Sequence, residues 1–245
     1  AEAALKATFD ELVQAGKMVA LGQIAAGITH ELNQPLAALR TLSDNAQVLL
    51  DRGRNDDARL NLEEISQLVA RMGRITGELK SFARKTPARL QPVDLQQVVA
   101  DAISLLRVRL RQQRIQVRFD VRDPPPFGTG DANRLQQVLV NLITNAIDAM
   151  ADSERRELTI QVDATGSAAF ITVTDTGGGL TADAESRLFE PFFTTKPAGS
   201  GLGLGLPISA DIIKAFGGSL KGRSIGSGAA FTIELIQAET THQHA

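Results

Sequence analysis

The chain has 245 residues, 43% of them hydrophobic, enough for one large core or two smaller ones. Its 26 basic and 28 acidic residues leave a net charge of −2, which excludes the electrostatic footprint of a nucleic-acid or anionic-membrane binder. Cysteine is absent, which excludes disulfides, zinc–thiolate sites and thiol catalysis; tryptophan and tyrosine are absent too, which argues against base-stacking surfaces.

No apolar run reaches the roughly 18 residues of a membrane span, and no signal peptide is visible. The chain opens on AEAALKATFDELVQAGK, a helical stretch without an initiating methionine, and is expected to be a piece of something longer. Residues 5–50 read as one long helix. Apolar residues recur at Leu21, Ile24, Ile28, Leu32, Leu36, Leu39, Leu42, Ala46 and Leu49, one stripe of a helical wheel. His30 falls opposite that stripe with Gln34 beside it, so its imidazole is expected to face solvent. Neutral at physiological pH, such a ring is a nucleophile, and the adjacent Glu31 can take its N–H proton or fix its tautomer. Pro35 removes an amide one turn later and predicts a kink. Taken alone, an exposed helical histidine is usually only a solvated residue.

DRGRND, residues 51–56, breaks the pattern, and Leu60 to Phe82 marks a second amphipathic helix. Two helices with a short loop form an antiparallel hairpin, and its long apolar stripe predicts pairing with a second copy as a four-helix bundle, hence a homodimer. Lys85 to Pro92 reads as a linker. The style then changes: a helix from Asp94 to about Arg111, a strand over 115–121, a DPPPFGTGD loop that no element is expected to span, and a helix capped by Asp131. Strands near 158–162 and 170–175 meet at a turn at 165–167; a glycine-rich loop, an irregular segment, a helix near 206–216 and strands near 219–223 and 229–235 follow. The expectation is α+β: a helical hairpin, then an α/β sandwich of a mixed sheet with helices on one face.

Four pieces of the second half carry polar groups where packing would not put them. Asn141 and Asn145 lie one turn apart on one helical face, and their amide oxygens suit Mg²⁺ with its retained waters and phosphate partners, although paired surface asparagines are common. Asp175 to Gly179, DTGGG, offers an acceptor carboxylate followed by glycines that let a flat ligand such as adenine approach; in isolation it is equally a hairpin turn. Leu188 to Lys196, LFEPFFTTK, suggests a lid packed by its own phenylalanines, with Lys196 able to meet phosphate. In GSGLGLGLPIS, Gly201, Gly203 and Gly205 alternate just before a helix, where bare amides form an anion site. The pattern is neither Walker A nor a clean dinucleotide motif.

The order Asn helix, Asp–Gly loop, Phe segment, Gly loop is more specific than any member. Over residues 15–236 the chain resembles the cytoplasmic kinase core of a two-component sensor histidine kinase, a phosphoacceptor hairpin followed by an ATP-binding domain of the gyrase/Hsp90/histidine kinase/MutL (GHKL) class. VALGQIAAGITHELNQPLAALR is particularly similar to sensors of the C4-dicarboxylate transport type. The resemblance implies that His30 is the phosphoacceptor and Glu31 its acid/base partner; four residues after the histidine, where phosphatase-competent relatives often have Thr or Asn, this chain has Gln34, whose amide can still orient a water. It implies Asn145 as the Mg²⁺ ligand with Asn141 at the phosphates, and Asp175 as the adenine reader with Gly177 and Gly179 making room. Phe193, Thr195 and Lys196 of the lid would border the nucleotide, and Gly201, Gly203 and Gly205 would close over its phosphates.

The same resemblance divides the chain into a signalling helix (1–16), a dimerisation and phosphotransfer hairpin (17–86), a linker (87–93), a catalytic ATP-binding domain (94–237) and a disordered tail (238–245). It implies ATP and Mg²⁺ as cofactors, and a homodimer and the receiver domain of a cognate response regulator as partners, with no nucleic acid and no direct membrane contact. The chain would be the cytoplasmic portion of a bacterial inner-membrane sensor. Three rivals remain. A mechanical ATPase would need a general-base glutamate where Asn141 stands, a kinase-dead scaffold would have lost site residues that are all present, and a metal site at His242 and His244 competes with a floppy tail.

Overall fold

The structure, a computed structural model, describes residues 2–83, 89–196 and 202–238, with the backbone alone at a set of positions in the first two helices that includes His30. It divides into two compact units, Ala1–Thr86 with Thr194–Leu204, and Pro87–Phe193 with Gly205–Ala245. No helix among the described residues is long and apolar enough to cross a membrane.

In the first unit, α1 (Glu2–Asp51) and α2 (Asn55–Ala83) pack along each other as the expected hairpin. The turn between them needs Gly53, whose φ of 73° a side chain would resist, and Arg54 pairs with Asp57 at 2.7 Å as α2 begins. α1 continues without a break through Pro35, the position of the expected kink. Ile28 and Ala46 of α1 and Ala58 and Ile75 of α2 are buried. Leu36, Val48, Leu60, Leu62 and Val69 remain exposed, so a good part of the apolar stripe finds no cover among the described residues.

The second unit begins with β1 (Gln91–Asp94), whose first residues fall within the stretch expected as a linker. Asp94 then caps α3 (Leu95–Gln112), accepting from the Gln97 amide at 3.0 Å. β2 (Gln116–Val121) follows, and β3 (Phe127–Gly130) forms inside the DPPPFGTGD segment expected to hold no element. The correction has a non-local cause: β3 exists by pairing antiparallel with β1, Val93 opposite Gly128, a partner more than thirty residues away. Asp131 caps α4 (Ala132–Ala149) as expected, accepting from the Arg134 amide at 3.2 Å.

β4 (Glu157–Thr165) and β5 (Ala168–Asp175) form a hairpin, α5 (Ala182–Arg187) is a short helix capped by Thr181, and α6 (Gly205–Ala215), β6 (Ser219–Ile225) and β7 (Gly228–Ile236) complete the unit. The main sheet has the order β2-β4-β5-β7-β6, with β2 parallel to β4 and every other pair antiparallel. Strand alternation sorts the two faces. Leu158, Ile160, Ala169, Ile171, Val173, Ile233 and Leu235 are buried under the helices, whereas Thr159, Gln161, Thr172 and Thr232 lie on the opposite, polar face. α4 is the central helix, in contact with α3, α6 and β5, and its stripe from Leu135 to Ile147 is fully buried. Arg109 of α3 pairs with Asp148 near its end.

Candidate functional site

α4 sets the geometry, because the DTGGG loop and the amino end of α6 both meet it. Asn141 lies toward its middle and is half-buried. Its Nδ2 donates to the Ser209 Oγ of α6 at 3.0 Å, and its Oδ1 stands against the backbone of Gly205, the first residue of α6. Asn145 follows one turn later on the same face. At the helix end, Ala149 and Met150 receive the DTGGG loop: a Cβ on Gly177 would lie 2.6 Å from the Ala149 carbonyl oxygen, so only glycine lets the loop come this close. Thr176 fastens the same loop from its other side, its hydroxyl donating to the Arg155 carbonyl at 2.8 Å and accepting from the Glu157 amide at 3.0 Å.

Asp175 ends β5 at 5% exposure, one of two buried polar side chains among the described residues; Ser209 is the other. Its Oδ1 accepts from the backbone amides of Gly177 at 2.8 Å and Ala229 at 3.4 Å. Oδ2 takes no hydrogen bond among the described residues. Burial pushes the carboxyl above its usual range, and the two amides oppose that shift by stabilising the charged form. Gly179 adopts a φ of 67° against Ser224, whose Oγ accepts from the Leu180 amide at 3.2 Å and donates to the Gly228 carbonyl at 3.3 Å. The β6–β7 hairpin thereby backs the loop that carries the carboxylate.

The remaining expected residues are distributed as follows. Phe193 closes a turn after α5, and the Arg187 guanidinium sits 4.2 Å from its ring centroid. Thr195, Lys196 and Gly203 fall in Thr194–Leu204, which belongs to the first unit; the Lys196 amide donates to Thr194 Oγ1 at 3.1 Å, and Gly203 has a φ of 67°. His30, Glu31 and Gln34 lie on α1; Glu31 is half-buried, Gln34 is exposed, and the His30 side chain is outside the described part. Gly201, His242, His244 and the expected tail beyond residue 238 also lie outside the described residues. Ser209, Ser224, Thr176 and the Ala229 amide were not singled out from sequence. Ser209 had a signal, a hydroxyl on the stripe shared by Ile212 and Ile213.

These residues fit a nucleotide with a hard divalent cation. Gly205 leaves bare backbone at a helix amino terminus, where phosphate is favoured, and Asn145 supplies an oxygen donor of the kind Mg²⁺ accepts alongside phosphates and water. No cluster of three or more His, Asp or Glu that could hold a metal occurs among the described residues, so a cation here would lean on the phosphates it accompanies.

A helical hairpin followed by a mixed five-stranded sheet with helices on one face is the GHKL-type histidine kinase fold. The comparisons agree. Residues 130–239 match the histidine kinase-, DNA gyrase B- and HSP90-like ATPase family, and residues 20–88 match the His Kinase A (phospho-acceptor) domain. The chain is 44% identical over 229 residues to the C4-dicarboxylate transport sensor protein DctB of Pseudomonas aeruginosa, and 41% identical over 237 residues to that of Rhizobium meliloti. Those alignments take in 93% and 96% of this chain but 37% of either relative, so the chain spans well under half their length. Among solved structures, the catalytic domain of histidine kinase ThkA superposes with a TM-score of 0.56 at 27% identity, covering 61% of this chain and 96% of that one. ThkA in complex with the response regulator protein TrrA matches in fold with a TM-score of 0.78 at 22% identity, covering 94% of this chain and 66% of that one. The chain belongs to the two-component sensor histidine kinases.

Proposed function

We propose that this chain is the catalytic core of a sensor of the C4-dicarboxylate transport type, which moves the γ-phosphoryl group of Mg-ATP to His30 and from there to an aspartate of a response regulator. The observation that carries the nucleotide half of this reading is the span of α4. From Asn141 to Ala149 is eight residues, about 12 Å along the axis, a length comparable to an extended nucleoside triphosphate. At Ala149 the span receives the loop that follows the buried carboxylate of Asp175, and at Asn141 it meets the amino terminus of α6.

Asp175 reads the exocyclic amine of adenine through Oδ2 while the two backbone amides hold Oδ1; Gly177 and Gly179 keep that end free of side chains. Asn145 would hold Mg²⁺ through its amide oxygen, and the ion would supply charge neutralisation at the phosphates. Asn141 stands beside the phosphates, and Gly201, Gly203 and Gly205 close over them with the lid residues Phe193, Thr195 and Lys196. A nitrogen lone pair of the His30 imidazole forms the P–N bond as the bond from the γ-phosphorus to the oxygen of departing ADP breaks. Glu31 takes the proton from the other ring nitrogen, and Gln34 can orient a water for phosphatase activity, a hydrolysis distinct from reversal of the transfer.

The domain reading follows the same roles: 1–16 carries the signal, 17–86 dimerises and holds the phosphoacceptor, 87–93 acts as the hinge, 94–237 binds ATP, and 238–245 is a tail. The exposed Leu36, Leu60, Leu62 and Val69 support a four-helix homodimer. The whole protein would be an inner-membrane sensor of which this is the cytoplasmic part. Titration of Mg-ATP into the chain, Asn145→Ala and Asp175→Asn tests the site. Binding to the parent that weakens at least about tenfold in each variant is expected; equal binding by all three would move the nucleotide elsewhere.

A further inference from the structure

We propose that Ser209 is a positioning residue of the nucleotide site, acting through Asn141 to fix the amino end of α6, where the glycine loop stops, to α4. The proposal rests on the nucleotide reading above. Ser209 is 2% exposed, and its hydroxyl is the acceptor for Asn141 Nδ2 at 3.0 Å. Gly205 and Ser209 are separated by one helical turn, so they stack on one face of α6, and the Asn141 carboxamide lies across that turn. Its nitrogen is given to Ser209 and its oxygen is pressed against Gly205.

Two features make this arrangement more than packing. Leu204, which precedes α6, has no polar side-chain atom with which to cap the helix, and the Asn141 amide of α4 stands against its first turn. The orientation of that amide is also set from one side. An amide has a donor end and an acceptor end, and with the donor committed to the buried Ser209 hydroxyl the acceptor must face the first turn of α6. Without the hydroxyl, Asn141 is free to turn over, and the amides at which phosphate would dock lose a fixed neighbour.

The test uses the full chain, with Mg-ATP and adenosine as probes, for the parent, Ser209→Ala, Asn141→Ala and the double variant. The expected result is an about tenfold loss of Mg-ATP affinity in Ser209→Ala, the size of one unmade buried hydrogen bond, with adenosine affinity kept within about twofold because the carboxylate end is untouched. The double variant should bind no worse than Asn141→Ala, since both changes remove the same contact. In turnover, the KM for ATP should rise while kcat holds. Unchanged Mg-ATP binding in Ser209→Ala, fully additive losses, or equal losses for both probes with a lowered melting temperature would each overturn the proposal and leave the nucleotide site standing. Absence of Mg-ATP binding in the parent would instead overturn the nucleotide site, and this proposal with it.

Discussion

The side-chain oxygen of Asn141 stands where a Cβ on Gly205 would have to go. Gly205→Ala must therefore push α4 and α6 apart or turn the Asn141 amide away from Ser209. Overpacking of this kind costs about 1–3 kcal/mol. The variant is expected to fold, by far-UV circular dichroism, with a lowered melting temperature and Mg-ATP affinity reduced by at least about tenfold. Parent-like affinity would separate this contact from the nucleotide site.

At the carboxy-terminal end of α4, Gly177→Ala places a methyl group against the Ala149 carbonyl oxygen, a backbone atom that no neighbouring side-chain change removes. Nucleotide binding should be lost, and Ala149→Gly should fail to restore it, because the nearest atom stays in place. Rescue by Ala149→Gly would show that the neighbouring Cβ, and not the backbone, sets the limit.

Asp175 couples ligand reading to stability through its buried carboxyl. Its folded pKa is raised, chiefly by burial, so the protonated form is favoured in the folded protein. The stability this confers is complete below the unfolded value, near 3.8, and is lost as pH rises through the raised folded value. At neutral pH the ionised carboxylate is thus a cost to folding. Asp175→Asn should leave the melting temperature at pH 7 unchanged or higher, with its advantage over the parent shrinking as pH falls toward 4, while adenine nucleotide binding is abolished. Melting curves across pH 4–8 for both proteins check the sign; a variant less stable than the parent at pH 7 would contradict it.

Much of this was legible in the sequence, and what was not has physical causes. The two long helices, the caps at Asp94 and Asp131 and the alternation of β5 follow from periodicity and short-range hydrogen bonding, which a local window contains. β3 was missed because three prolines dominate its surroundings, and its strand conformation depends on β1, a distant partner that itself contains Pro92. α5 is too short to show a period; its signal was Thr181 followed by Asp183 and Glu185 in the first turn. In the site, Asn141, Asp175 and the glycines could be named because their residue types carry the chemistry. Ser224 could not, and Ser209 showed only a hydroxyl on an apolar stripe, because a serine acquires its role from what the fold sets against it.

The hairpin carries its own prediction. Leu62 and Val69 are 51% and 55% exposed and lie seven residues apart on α2, one face of the helix. Leu62→Glu with Val69→Glu should convert the chain from dimer to monomer in light scattering while its helical content is kept. A parent that is already monomeric at micromolar concentration would contradict the bundle.

The central claim, transfer from ATP to His30, is tested most directly by incubating the chain and His30→Gln with γ-³²P-ATP and Mg²⁺ and then challenging the bound label with acid and with alkali. Label that is acid-labile, alkali-stable and absent from His30→Gln is the predicted result. Nucleotide binding without such label, or label that persists in His30→Gln, would contradict it.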